Sequence, residues 1–190
     1  ADFERSIPFL KAYTVFNVEQ IDGLPDRYRA EPPPRAEPLV RCAAAEQFFR
    51  ATGADIRHGG SQAYYALDAD YVQLPPMECF ADAEAYYATL AHECTHWTRH
   101  PTRLDRDLGR KRWGDEGYAR EELVAELGAA FLCADLGIEL QPREDHAAYI
   151  GSWLEALNRD HRLIFMAAAH AQKAADFLHS LQLGAGDPPG

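Results

Sequence analysis

The stretch from Asp82 to Arg99 constrains the chain more than any other, because it reads as a helix with an ordered polar face. At about 100° per residue, with His92 as origin, His96 falls about 40° away, Thr89 about 60° and Glu93 about 100°. Tyr86, Tyr87, Leu90, Ala91, Cys94 and Trp97 spread over the opposite side. Such a helix is expected to bury one side and to present two histidines from the other. Histidines at i and i+4 stand one turn apart on one face, the spacing that two ligands of a tetrahedral zinc ion require. Glu93, adjacent to the first histidine, can reach a metal-bound water without being a ligand. Zinc lowers the pKa of such a water to about 7, which brings its proton within reach of a carboxylate base.

A catalytic zinc needs a third protein ligand. A second helical pattern, Ala119 to Leu136 with Gly137 at its end, offers Glu121, Glu122 and Glu126. Glu122 and Glu126 are four apart and share a face beside an apolar stripe of Leu123, Leu127, Ala130 and Phe131. Glu121 points elsewhere and is expected in solvent. Zincins with a glutamate ligand carry E-x-x-x-[D/E] on the helix that follows the histidine pair. By that likeness Glu122 takes the metal and Glu126 orients a ligand histidine, in preference to the reverse. Tyr118, His146 and Tyr149 are candidates for a hydrogen bond to an oxyanion, and the spacing does not choose among them. His58, His100, His161, His170 and His179 read as surface or satisfied core residues.

The rest of the chain supplies a scaffold. Ile7 to Val18 reads as one or two strands, and Pro32-Pro33-Pro34 as an extended spacer. Leu39 to Thr52 reads as a helix ended by Gly53, followed by a hairpin of Gln62–Tyr65 and Tyr71–Leu74 that Pro75-Pro76 stops. A hairpin placed just before the histidine helix can offer an edge strand to a peptide. His100 to Gly117 reads as a solvated loop, with a substrate-contacting lid as the lesser option. Ala148 to Leu183 reads as two helices meeting near Asn158-Arg159-Asp160. The expected fold class is α+β, zincin-like: a small sheet with a hairpin edge, an active-site helix, a glutamate-bearing helix and a C-terminal helical layer. One domain is expected over 1–183, with a disordered tail at 184–190.

Composition closes off several functions. The formal charge of −11 argues against holding nucleic acid by phosphate neutralisation, which needs a clustered basic surface. No run approaches the roughly 20 apolar residues of a membrane span, and the first residues carry no secretory pattern. Four cysteines, Cys42, Cys79, Cys94 and Cys133, show no C-x-x-C spacing, so a cytoplasmic chain without a disulfide framework is expected. The chain lacks an initiator Met, which suggests a processed chain or an excised domain.

The blocks IPFLKAYTVFNVEQIDGL, HGGSQAYYALDADYVQLPP, YYATLAHECTHWTRHPTRLDRD and YAREELVAELGAAFLCADLGI together resemble the C-terminal domain of ArdC-type antirestriction proteins. The same zincin-like module occurs in TraC-type primases of conjugative plasmids, and the likeness runs from Ile7 to about Leu181. It implies a gluzincin-like fold with zinc on His92, His96 and Glu122, Glu93 as base, and a part in protecting transferred DNA from host restriction. Cys94 stands where Leu is common, a harmless change at an apolar helix position. Such proteins also carry an N-terminal single-strand DNA-binding domain. Nothing in these residues matches it, so no strong nucleic-acid binding is expected here. The expected function is zinc-dependent hydrolysis of a peptide bond in a protein or peptide, with a host restriction or defence protein as candidate partner. The rival is a binding module that keeps zinc for structure and blocks a restriction factor with its acidic surface.

Overall fold

The computed structural model describes Gly23, residues 39–109, 116–139, 157–158 and 160–182. The chain divides into two units, Ala1–Glu37 and Pro38–Gly190, and every described element belongs to the second. In order these are α1 (Ala43–Ala51), β1 (Asp55–His58), β2 (Tyr64–Ala66), β3 (Tyr71–Leu74), a 3-10 turn (Met77–Cys79), α2 (Ala83–Trp97), α3 (Glu116–Leu136) and α4 (Leu163–Ser180). The expected strands at Ile7–Val18, the proline spacer, the tail, His146 and Tyr149 lie outside the described residues.

The three strands form a mixed sheet in the order β1-β3-β2. The expected hairpin is present, with Tyr64 opposite Gln73 and Ala66 opposite Tyr71. A parallel strand joins it: β1 runs beside β3 with Asp55 opposite Tyr71 and His58 opposite Leu74. No strand is expected from the sequence at Asp55–His58, which reads with Gly59-Gly60 only as the lead into the hairpin. Val72 and Leu74 of β3 are fully buried and join Phe48 and Phe49 of α1, Tyr86, Tyr87, Leu90 and Trp97 of α2, Leu132 of α3 and Leu178 of α4 in one core. Each such side chain contributes about 1.5–3 kcal/mol by leaving water.

Helix α2 begins where Asp82, in an extended conformation, caps it: Oδ1 accepts a hydrogen bond from the Ala85 amide at 2.7 Å. A cap of this kind contributes about 1 kcal/mol. Every residue from Tyr86 to Trp97 is buried. The amphipathic reading is therefore corrected. The side that carries the histidines is enclosed as fully as the apolar side, because α3 covers it while β2, β3 and α4 make further contacts with the helix. Cys94 and Cys133 are both buried and free, as small apolar residues in helices are expected to be.

Helix α3 ends in a Schellman motif. Gly137 takes φ +66°, Ile138 N–H donates to Cys133 O at 2.8 Å, and Gly137 N–H donates to Ala134 O. Midway along it, Gly128 sets the approach to α2. A Cβ at that position would lie 2.5 Å from Thr95 Cγ2 and 2.6 Å from Thr95 Oγ1. Thr95 cannot swing away freely, since its hydroxyl donates to Ala91 O at 2.8 Å. Gly128→Ala is expected to destabilise the chain by about 1–3 kcal/mol through overpacking. Thermal unfolding should show Tm lower by roughly 2–12 °C; an unchanged Tm would mean that the two helices are not pressed together here. A smaller cluster of Val124, Ala167 and Ala171, with Leu123, Leu127 and Phe131 packed against it, joins α3 to α4.

Candidate metal centre

Helices α2 and α3 bring His92, His96 and Glu122 to one point. The two imidazole rings stand nearly perpendicular, with Nε2 of His96 3.2 Å from Nε2 of His92. Glu122 reaches both: Oε2 lies 3.5 Å from His92 Nε2, and Oε1 lies 3.5 Å from His96 Nε2. All three residues are buried, and their donor atoms lie within 4.8 Å of one another. Two imidazole nitrogens and a carboxylate directed at one buried point form a candidate donor set for a divalent cation. Among the described residues this is the one group of His, Cys, Asp and Glu side chains with that property.

The far side of each ring also faces a carboxylate. Glu126 Oε1 lies 3.2 Å from His92 Nδ1, in ion-pair range. Glu121 Oε1 lies within hydrogen-bond reach of His96 Nδ1, at 3.1 Å. Glu126 thus stands where an orienting carboxylate is needed. Glu121 does too, which corrects the expectation that it is solvated: it is 1% exposed. Glu93 is likewise buried, on α2 beside His92.

The electrostatics follow from this crowding. Burial disfavours an imidazolium, yet Glu122 and Glu126 outweigh it and His92 is pushed up to about 10. His96 is raised by Glu121 and Glu122 against the same opposition from burial. Burial alone would lift Glu121, but the Arg106 guanidinium and His96 hold its carboxyl down at about 2. Glu122 is lowered in the same way by the two histidines. The carboxylates that raise the histidines are the same groups that would favour a divalent cation at this point, and metal binding there would release protons.

The segment after α2, expected as a solvated loop, is tied down by two arginines. Arg103 lies over the Trp97 ring at 3.9 Å, donates from Nε to Trp97 O at 2.7 Å, and pairs with Asp70 at the hairpin turn. Tyr65 donates to the same Asp70 at 2.8 Å. Arg106 is 5% exposed and grips Glu121 with two parallel bonds of 2.9 and 2.7 Å. Both residues were missed because Arg103, Asp105, Arg106, Asp107, Arg110, Lys111 and Arg112 together read as a polar, irregular, solvated loop. A signal for Glu121 was present. Ala125, Gly128 and Leu132 follow it at i+4, i+7 and i+11, and small residues on one helix face mark close approach. The larger stripe of Leu123, Leu127 and Phe131 is only half-buried and packs toward α4 instead. Tyr118, the one oxyanion candidate among the described residues, is buried on α3.

Comparison with known proteins agrees with this architecture. A model of a zincin-like metallopeptidase family matches residues 43–170. The chain is 50% identical over 174 residues to the uncharacterized protein y4eC of Sinorhizobium fredii (strain NBRC 101917 / NGR234), covering 92% of this chain and 55% of that one. It is 49% identical over 166 residues to a DNA primase TraC of Escherichia coli, covering 87% of this chain and 15% of the primase. Among solved structures it matches the metal-free antirestriction protein ArdC of plasmid R388 with a TM-score of 0.67 and 49% identity, over 95% of this chain and 64% of that one. The Mn(II)-bound form of ArdC matches with a TM-score of 0.69 and 46% identity, over 98% of this chain and 68% of that one. The chain therefore spans about half of one curated relative and a small part of the other. With the family match covering most of its length, and two histidines and a glutamate converging inside it, this chain belongs to the zincin-like metallopeptidases.

Proposed function

We propose that the chain is a zinc-dependent peptidase domain, with His92, His96 and Glu122 as ligands and Glu93 as general base. The observation that carries this is the convergence of three buried donors, all within 4.8 Å of one another, with Glu93 buried beside the first histidine. A tetrahedral zinc with bonds of about 2.0–2.1 Å needs its ligand atoms about 3.3–3.4 Å apart. The Nε2 atoms of His92 and His96 are 3.2 Å apart, close to that edge. Three protein donors, rather than the four of a structural site, leave one position for chemistry.

When bound, zinc supplies a Lewis acid that makes a water acidic enough to lose a proton near neutral pH and polarises a carbonyl. The remaining work falls to the chain. Glu93 takes the proton of the attacking water on its carboxylate oxygen and returns it to the amine that leaves. Glu122 and the two imidazoles fix the metal, and their burial keeps bulk water from competing. Glu126 orients His92. The substrate is a protein or peptide. The likeness to an antirestriction protein supports a target in the restriction or defence machinery of a cell receiving DNA. The acidic chain, at −11, is expected to take little part in binding DNA by itself.

Elemental analysis of the purified chain is expected to give about one zinc per chain, and none after prolonged chelation. A chain that takes up no zinc on reconstitution contradicts the proposal outright.

A further inference from the structure

Arg106 and Glu121 have no part in the chemistry proposed above, yet their side chains are 2% and 1% exposed. A buried ion pair is a poor way to gain stability, because apolar side chains of similar volume often serve as well or better. The partners of this one suggest another role. Nε of Arg106 donates to Oε2 of Glu121 at 2.9 Å, and Nη2 donates to Oε1 at 2.7 Å. The same Oε1 faces Nδ1 of His96 at 3.1 Å. Nη1 of Arg106 donates to Thr98 Oγ1 and Nη2 also to Thr95 O, both at 3.0 Å. Every bond the guanidinium makes therefore fixes either Glu121 or the turn of α2 that carries His96.

We propose that Arg106 is a positioning residue for the metal centre: it fixes Glu121 so that the carboxylate accepts the Nδ1 proton of His96 and leaves Nε2 free to bind the metal. This rests on the zinc reading above. A neutral imidazole carries its proton on one nitrogen or the other, and only the Nδ1–H form has a lone pair on Nε2. An ionised carboxylate can only accept, so a carboxylate at Nδ1 selects that form. The grip of Arg106 adds a second restraint. Glu121 is the immediate neighbour of Glu122, and an untethered carboxylate there would be free to compete as a ligand. With both oxygens engaged by the guanidinium, the ligand set stays at two histidines and Glu122. The two histidines are held unequally as a result. His96 is backed by a carboxylate locked on both oxygens. His92 is backed by Glu126, whose side chain is 20% exposed.

The test uses the full chain loaded with zinc, labelled with ¹⁵N-histidine, and three variants. Replacing both Arg106→Met and Glu121→Met removes the two charges together and leaves neither unpaired. Arg106→Lys keeps the charge but loses the fork. Glu126→Gln serves as the control at His92. Wild type is expected to show a low-field, slowly exchanging Hδ1 resonance for His96. In the double variant that resonance should move upfield or exchange away, the His92 resonance should stay, and zinc should bind about 10–100-fold more weakly in chelator competition. Arg106→Lys should fall between, and it supplies the readout if the double variant does not fold. Glu126→Gln should disturb His92 and spare His96. A lower Tm with zinc affinity and the His96 resonance unchanged would mean that the pair only braces the fold, and would overturn the positioning role. Wild type that takes no zinc would overturn this inference and the zinc reading together.

Discussion

Glu93→Gln is expected to leave the chain folded and fully loaded with zinc while peptide hydrolysis falls by about 10²–10⁴-fold. The substitution keeps the size of the side chain and part of its hydrogen bonding, and removes only the basicity. Glu93 is buried beside His92, so the change puts no new surface into water and needs no repacking of α2. If Glu93 were instead a fourth ligand, the same substitution would strip the metal. Zinc content and hydrolysis of candidate host proteins, measured on the same preparation, separate these cases. The assay has a second arm. Should the chain protect transferred DNA, and should that protection survive Glu93→Gln, hydrolysis is irrelevant to the role. The rival then holds: a binding module that blocks a restriction factor with its acidic surface.

Substitutions at Glu122 and Glu126 are expected to differ in size. Glu122→Gln replaces a carboxylate, whose two oxygens lie 3.5 Å from Nε2 of His92 and of His96 respectively, with a neutral amide. The loss in zinc affinity should exceed the 10–100-fold typical of an orienting residue. Glu126→Gln should stay within that range, because Glu126 meets the Nδ1 side of His92 and not the point where the donors converge. Chelator competition on the two variants measures both numbers. A larger loss at Glu126 would exchange the two assignments.

The centre was more legible in the sequence than the support around it. His92 and His96 are one turn apart on a helix, so local geometry alone brings their rings together. Glu122 and Glu126 share a face beside an apolar stripe, and their roles are read from the likeness to the E-x-x-x-[D/E] helix of glutamate-ligand zincins. Non-local support was harder to read. Arg106 lies 15 residues before Glu121, and no local period connects a loop arginine to a helix glutamate. Glu121 was misplaced for a physical reason: bulk was taken to mark the buried face of α3. The face pressed on α2 carries Gly128, which allows the close approach to Thr95, while Leu123 and Leu127 serve the contact with α4. The angular map of α2 failed similarly. Residue chemistry separates a polar from an apolar side, but says nothing of a second helix that covers the polar one. β1 was overlooked because a short parallel strand is defined by its distant partner β3, and carries little pattern of its own.

The most direct measurement is a crystal structure of the zinc-loaded chain, with anomalous scattering collected on both sides of the zinc absorption edge. The account predicts one zinc peak per chain, bonded to Nε2 of His92, Nε2 of His96 and one carboxylate oxygen of Glu122. It also predicts one coordination position without a protein ligand, and Glu93 off the metal. A peak held by Glu93, Glu121 or Glu126, a fourth protein ligand, or no peak at this point would contradict it.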